Sequence, residues 1–416
     1  MPARTVLPQT GRRSDDILAE MREMKKDDVD WKHGRAPLFV FRVDDPTYEI
    51  GRAAFFEFFG ENALGARRAF PSVQRMETEV VEMALGLFHA PDDARGFITS
   101  GGTESIIQAI QTCRDFTRAR RNEPGLRGNI VGSETLHPAF DKGAKLMDLE
   151  VRRAPVGPDF RMDLAAVEAM IDHETFMLVG SATNFPFGMI DPIGELGRIA
   201  ERKRLWLHVD ACVGGYIAPF ARMIGRPIPD FDFAVPAVSS ISADLHKFGY
   251  APKPASTVFY RTRELAQYHP FDVDVWPNGR FSTTTMSGTR PAGGVAGAWA
   301  TFQHLGVDGY TKAATDLLGF VDAYIAGMKD LGLELVGKPD LSIVAFASNE
   351  VDVFRVAEVM RTRGWLPGLL QKPRAIHRMM SMLHAASLDE FLADARDAIA
   401  AVRRAPAGEA KIGASY

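Results

Sequence analysis

The chain has little cysteine: only Cys113 and Cys212 occur in 416 residues. No disulfide framework is indicated, and a reducing cytoplasm is the expected setting. Long apolar runs are also missing. Stretches such as VVEMALGLF (80–88) are interrupted by charge and fall far short of the roughly 20 residues a membrane span needs. The opening MPARTVLPQTGRRSDD lacks the apolar core of a signal peptide. With a net charge of −4 and a pI near 6.2, there is no basic stripe for a phosphate backbone, and Arg67-Arg68 and Arg118 to Arg121 stand as short isolated clusters. Nucleic acid is therefore not an expected partner. No HxxxH or CxxC spacing points to a metal, and neither internal repeats nor low-complexity tracts occur.

What is present is the 46% hydrophobic content of a soluble, enzyme-sized chain that can bury a large core. The first sixty residues read as an arm: a charged helical piece over 15–30, then the extended HGRAPLFVFRVDDP, of a kind that often packs on a partner subunit. From Phe70 onward, helical segments (VQRMETEVVEMALGLF, TESIIQAIQTCRDFTRARR, FDKGAKLM, DLAAVEAMI, IGELGRIAERK) alternate with strands (NIVGS, LEVRRA, FMLVGSA, LWLHVD, SSISA, STVFYR). That alternation predicts an α/β fold with a mostly parallel sheet covered on both faces. Three parts are expected: an arm over 1–60, a large domain over 61–307 and a smaller α+β domain over 308–416.

Ligands of open parallel sheets gather at the carboxyl ends of the strands, and four stretches lie there. TSGGTES (99–105) sets a glycine pair before a helix start, where the backbone can approach a ligand and free N–H groups favour an anion; alone it reads more readily as an ordinary capped helix start. ETLHPAF (134–140) places His137 after a strand, a position also suited to a cap or surface residue. LWLHVDACVGG (205–215) ends a buried strand on Asp210, which needs a cation, a functional reason or a helix to cap. SISADLHKFGYAPKP (240–254) holds Lys247 in small, weakly apolar surroundings. A desolvated lysine gives up its charge more readily and attacks carbonyls, as Schiff-base lysines do; a solvated surface lysine is the alternative. Together, a Schiff-base lysine, an acid for a pyridinium nitrogen, an anion cradle and a flat ring for stacking are the parts of a pyridoxal 5'-phosphate site. A nicotinamide site would want a glycine fingerprint followed by an acid about 20 residues on, and neither occurs in that order.

TSGGTES, HPAF, HVDACVGGY, SSISADLHKFGYAPK and SGTRPAGG, in this order and spacing, resemble the sphingosine-1-phosphate lyase branch of the group II pyridoxal phosphate-dependent decarboxylase superfamily. Weaker pieces, FPSVQRMETEVV and QKPRAIHRMMSMLH, extend the resemblance from about residue 70 to near the C-terminus. It implies the fold type I architecture of pyridoxal phosphate-dependent transferases and a homodimer with shared active sites. Residue by residue, it implies Lys247 as the Schiff-base lysine, Asp210 as partner of the pyridine nitrogen and His137 as the stacked ring. Gly101, Gly102 and Thr103 would hold the cofactor phosphate with His246 and with Thr289 of the partner subunit. Lys253 would contact the substrate phosphate.

The implied chemistry is retro-aldol cleavage of a phosphorylated long-chain amino alcohol to a fatty aldehyde and phosphoethanolamine. Loss of a carboxylate, as in an amino-acid decarboxylase, is the second reading, and a cofactor-binding protein without turnover the third. Eukaryotic relatives are membrane-anchored; this chain resembles their soluble bacterial counterparts. It departs from the lyases in the substrate pocket. Where those tend to have AYGDFAWSNPLHPD, it has AAFFEFFGENALGARRAF, placing Phe56 at a phosphate-contacting tyrosine position and Ala66-Arg67 at a His-Pro. GGIYASP becomes GRFSTTT, placing Phe281 at a second tyrosine position. A lost hydroxyl costs about 1–3 kcal/mol where its partner is left unpaired. Phe56 and Phe281 are thus expected to line a pocket for an amine with an altered anionic head group, phosphate or carboxylate. Arg67, Arg68 and Arg280 are either its new cations or part of a solvated face.

Overall fold

A computed structural model of the chain describes residues 4–405 and 408–414; the ends of the expected arm and small domain, 1–3 and 415–416, and residues 406–407 lie outside them. The helices α1 (Ser14–Met24), α2 (Asp45–Glu57) and α3 (Pro71–Leu87) come first. The strands β1 (Arg95–Thr99), β2 (Asn129–Ser133), β3 (Glu150–Ala154), β4 (Thr175–Ser181), β5 (Trp206–Asp210), β6 (Val238–Ala243) and β7 (Ser256–Tyr260) then alternate with α4 (Gly102–Arg121), α5 (Ala139–Met147), α6 (Leu164–Ala169), α7 (Ile193–Lys203), α8 (Ala218–Met223) and α9 (Arg263–Ala266). A hairpin of β8 (Phe271–Val273) and β9 (Phe281–Thr283) leads into α10 (Gly293–Asp330). The chain closes with β10 (Glu334–Leu335), β11 (Ile343–Ala347), α11 (Val353–Thr362), β12 (Leu369–Gln371), β13 (Arg374–Met379) and α12 (Leu388–Arg404).

The large sheet runs β1-β7-β6-β5-β4-β2-β3, and only β7 opposes the others. The mostly parallel sheet expected from the alternation is therefore found. Side chains of β4 divide by the two-residue period of a strand: Met177 and Val179 join Ile106 and Ile110 of α4, whereas Leu178 joins Ile193 and Leu196 of α7. Both faces are thus covered, which is why β2, β4, β5 and β7 are buried throughout.

The smaller sheet is antiparallel, in the order β10-β11-β13-β12. Residues 34–37 lie along this unit. Leu366 N donates to Arg35 O at 2.9 Å, Met379 N to Pro37 O at 3.0 Å, and the Arg378 guanidinium to Gly34 O at 2.8 Å. Part of the expected arm is therefore held by its own chain.

Seven elements escaped the sequence reading: β1, β8, β9, β12, α2 and the short helices α8 and α9. β1 and β12 are short and only half apolar, and the β8–β9 hairpin is mostly exposed. For α2, the tail of the supposed extended stretch is in fact a helix start: the Asp44 side chain accepts from Thr47 N at 2.8 Å, with a proline in the first turn. The expected boundary at 307–308 falls inside α10, just past its kink at Gly306, where φ is 55°. Beyond the kink, Tyr310 Oη donates to Gly249 O at 2.8 Å, on the loop that carries Lys247.

Buried histidines set an acid limit. Burial lowers the pKa of His208, His269, His377 and His384 to about 4, against an ordinary 6.5. The unfolded chain binds these protons from about pH 6.5 downward and the folded chain only near 4, so stability falls as pH falls through that window. Melting temperature should be level above about pH 7 and decline steadily from about 6.5 to 4. A profile flat to about pH 4.5 would contradict the assignment.

Candidate active site

Because β7 alone is reversed, β1, β2, β4, β5 and β6 all end at one edge of the sheet. The residues after those ends build the site. Asp244 follows β6 and is 2% exposed, with its carbonyl accepting from Lys247 N at 3.2 Å. This turn sets both side chains on one side, so that Lys247 Nζ lies 2.8 Å from Asp244 Oδ2; His246 Nε2 is 3.8 Å from the same oxygen. Asp244 Oδ1, though buried, has no hydrogen-bond partner in the protein.

Burial is the largest single influence and would lower the Lys247 pKa, but the acidic groups around it, Asp244 foremost and then Cys212 and Asp210, together outweigh it and the net shift is upward. This corrects the expectation of a lysine discharged by desolvation, since the ammonium is held charged. Asp244 answers in kind: burial pushes its carboxyl up, and Lys247 and His246 pull it below its ordinary value. The sequence reading passed over Asp244. Its signal was an acid three residues before the lysine, in a turn.

Asp210 ends β5 and is 7% exposed, its Oδ1 accepting from Cys212 N at 3.1 Å. His137 is half-buried before α5, and its Nδ1 accepts from Ala139 N at 3.1 Å, so the neutral ring carries its proton on Nε2. Burial lowers the His137 pKa; Asp210 opposes this and Lys247 adds to it, placing the three groups within electrostatic reach of one another. Lys253 has its pKa lowered by partial desolvation and by the Lys247 charge, and it lowers that of His246 in turn. Lys247, Asp210, His137, His246 and Lys253 are thus brought together.

Gly101 precedes α4, and no side chain caps that helix. A Cβ at Gly102 would stand 2.8 Å from Cys212 Sγ and 2.9 Å from both Asp244 oxygens, and one at Gly101 would stand 3.7 Å from His246 Cε1. The free N–H groups of a 20-residue helix therefore open directly over the lysine turn, with Thr103 exposed at their edge. Glu104, also unforeseen, holds this start in place. Its carboxylate accepts from Ser100 N at 2.7 Å and Ser100 Oγ at 2.5 Å, and from Met286 N at 2.7 Å.

The contacts of the remaining predicted residues are with other neighbours. Phe56 is 60% exposed on α2, against Phe55 and Phe59. Phe281 packs edge-on to Trp276 in the hairpin. Thr289 is exposed and accepts from Asn62 Nδ2 at 3.2 Å. Arg280 is bound to Asp272 at 3.0 Å. The Asp272 carboxyl is held low first by Ser282, then by Arg280, with the exposed Arg67 adding its charge, so Arg280 is engaged at the hairpin. Arg68 is exposed.

The profile of the pyridoxal-dependent decarboxylase conserved domain matches residues 62–349. A sphingosine-1-phosphate lyase of Oryza sativa subsp. japonica is 37% identical over 97% of this chain and 76% of its own length. A probable L-tyrosine/L-aspartate decarboxylase of Methanosarcina barkeri is 32% identical, over 93% of this chain and 98% of that protein. The solved sphingosine-1-phosphate lyase of Burkholderia pseudomallei is 35% identical and superposes with a TM-score of 0.91, over 97% of this chain and 94% of the other. Fold and relatives together define a fold type I enzyme that uses pyridoxal 5'-phosphate, a lyase. The chain belongs to the pyridoxal-dependent decarboxylase family.

The residues fit that cofactor: an amine beside buried carboxylates, an uncapped helix start for the phosphate, and a gap that one Cβ would fill. Gly102→Ala should therefore weaken pyridoxal phosphate retention by about tenfold or more, since overpacking costs typically 1–3 kcal/mol. Gly319→Ala, into open space on α10, should not. Cofactor absorbance after dialysis measures both, and equal retention would refute the cradle.

Proposed function

We propose that the protein is a carbon–carbon lyase acting on a phosphorylated long-chain amino alcohol, such as sphingosine 1-phosphate, releasing a fatty aldehyde and phosphoethanolamine. The observation that carries this reading is the pair of amines: Lys247 against Asp244, and Lys253 close enough for the two charges to interact. One amine serves the cofactor, which leaves the other for an anionic head group.

In this reading Lys247 would hold pyridoxal 5'-phosphate covalently, Asp210 would face its ring nitrogen and His137 would cover its ring. The start of α4 at Gly101, Gly102 and Thr103 would take its phosphate with His246 and with Thr289 of the partner subunit. Once bound, the cofactor draws electrons from the carbon bearing the substrate amine. Asp210, its Oδ1 fixed by the Cys212 N–H, keeps a proton on a nitrogen facing it. Displaced from the cofactor by the substrate amine, Lys247 would become free to give or take a proton, its Nζ held by Asp244 Oδ2 at 2.8 Å. Lys253 attracts the substrate phosphate by charge. In the reaction the bond between the amine-bearing carbon and its neighbour breaks, the hydroxyl proton leaves as its oxygen becomes the aldehyde, and the amine-bearing carbon gains a proton.

A homodimer with shared sites is part of the proposal. It is supported by apolar side chains that one chain leaves exposed on α2 and the hairpin region: Phe56 60%, Phe59 71%, Trp276 51% and Met286 55%. A second copy there would bring Phe56, Phe281 and Thr289 toward the site of its partner. We also propose three parts, 1–60, 61–307 and 308–416, and a cytoplasmic setting. The setting is consistent with two free, buried cysteines. Among the described residues, no helix is long and apolar enough to cross a membrane.

Decarboxylation is the second reading. It is favoured by the phenylalanines at two tyrosine positions and by the decarboxylase relative. It loses part of one argument, because Arg280 is engaged at Asp272.

Purified enzyme given sphingosine 1-phosphate should yield hexadecenal and phosphoethanolamine by mass spectrometry, and Lys247→Ala should yield neither. A cofactor band without those products would retire this substrate, and carbon dioxide release from amino acids would then establish the second reading. Lys253→Ala should raise KM for the phosphorylated substrate about tenfold while leaving the cofactor band intact. An unchanged KM would remove Lys253 from the substrate site.

A further inference from the structure

Behind Asp210, a row of polar side chains crosses the otherwise apolar centre of the sheet. Trp206 and His208 lie two residues apart on β5, and Ser240 and Ser242 two apart on β6. His208, Ser240 and Ser242 have no exposed surface and Trp206 has 4%. Trp206 Nε1 lies 2.7 Å from Ser240 Oγ, Ser240 Oγ 2.8 Å from His208 Nδ1, His208 Nε2 3.2 Å from Ser242 Oγ, and Ser242 Oγ 3.5 Å from Asp210 Oδ1.

The direction of every bond follows from one end. An indole N–H only donates. Ser240 Oγ therefore accepts from Trp206, and its own hydrogen goes to His208 Nδ1. His208 then carries its proton on Nε2 and donates to Ser242. Ser242 also lies 3.4 Å from the Cys212 thiol as acceptor, which leaves its hydrogen for Asp210. Reversing the row would strand the Ser240 hydrogen in a dry core and turn Ser242 lone pairs on a carboxylate, both unfavourable. Burial also keeps His208 neutral, with a pKa of about 4.

We propose that the row Trp206, Ser240, His208 and Ser242 is a polarised relay that fixes a hydroxyl donor on Asp210, which makes His208 a positioning residue for the reaction. The proposal rests on the reading of Asp210 as the cofactor's acidic partner. Cys212 N–H orients the Asp210 carboxylate from the main chain, and the relay adds a second donor whose direction is set about four side chains away. The charged and titratable groups facing Asp210 are His137, Lys247, Cys212 and His208.

The test uses holoenzyme variants and the pH midpoint of the cofactor's visible absorption band, a readout independent of which substrate is turned over. Ser242→Ala and His208→Leu remove the donor. His208→Gln keeps one acceptor and one donor along the row. Ser242→Ala and His208→Leu should move the midpoint by about one unit or more and lower kcat about tenfold with KM within about twofold. His208→Gln should stay within about half a unit and about threefold of the parent. Should His208→Leu fail to fold, Ser242→Ala, which removes one oxygen atom, decides alone. An unshifted midpoint in Ser242→Ala, or a His208→Gln variant as impaired as His208→Leu, overturns the relay. Asp210→Asn is the separate control: if it leaves the midpoint unmoved, the reading of Asp210 fails instead.

Discussion

The ion pair between Asp244 and Lys247 is the interaction around which the rest of the structure is arranged. Two charges taken from water cost several kcal/mol each unless geometry and further partners compensate. Here the compensation is structural: the turn after β6 fixes their 2.8 Å approach, and His246 adds a polar neighbour at 3.8 Å. The glycine at 102 leaves the space that either oxygen requires. A pair placed there makes sense only where parallel strands end together, because that edge gathers N–H groups, helix starts and loops.

The reversed β7 extends that edge. It returns the chain so that β1 can lie parallel to β6 with one strand between them, which brings the start of α4 beside the lysine turn. Glu104 then ties that start to the loop before α10. The cradle and the lysine are thus held by the sheet and by one carboxylate, from segments about 140 residues apart in the chain.

Much of this was legible in the sequence wherever the signal was local. The strand from 205 to 210 and the helix from 103 to 121 each carry their period within one window, and they are found nearly as read. That Lys247, Asp210 and His137 would gather at one edge followed from the short strand-end runs that hold them, but the roles proposed for them came from the resemblance and from no local pattern. The misses are nonlocal or short. Ser242 and His208 acquire their meaning only when β5 and β6 pair, which no single window contains. Glu104 read as an ordinary first-turn acid because its partner, Met286, is 182 residues away. Phe56 and Phe281 were named by correspondence with relatives, and in one chain they sit on outer surfaces where no local pattern could have put them in a pocket.

Helix α10 belongs to both units, and that has a mechanical meaning. Residues before its kink, such as Val295 and Ala298, and residues after it, such as Tyr310 and Leu317, share one apolar cluster with the large sheet. Tyr310 reaches back to the carbonyl of Gly249, two residues after Lys247. The small unit is therefore no detachable module. A tilt of its helix would act as a lever on the lysine loop, so the alignment of the Lys247 amine is shared property of both halves of the chain, and neither half could be exchanged for another without resetting it.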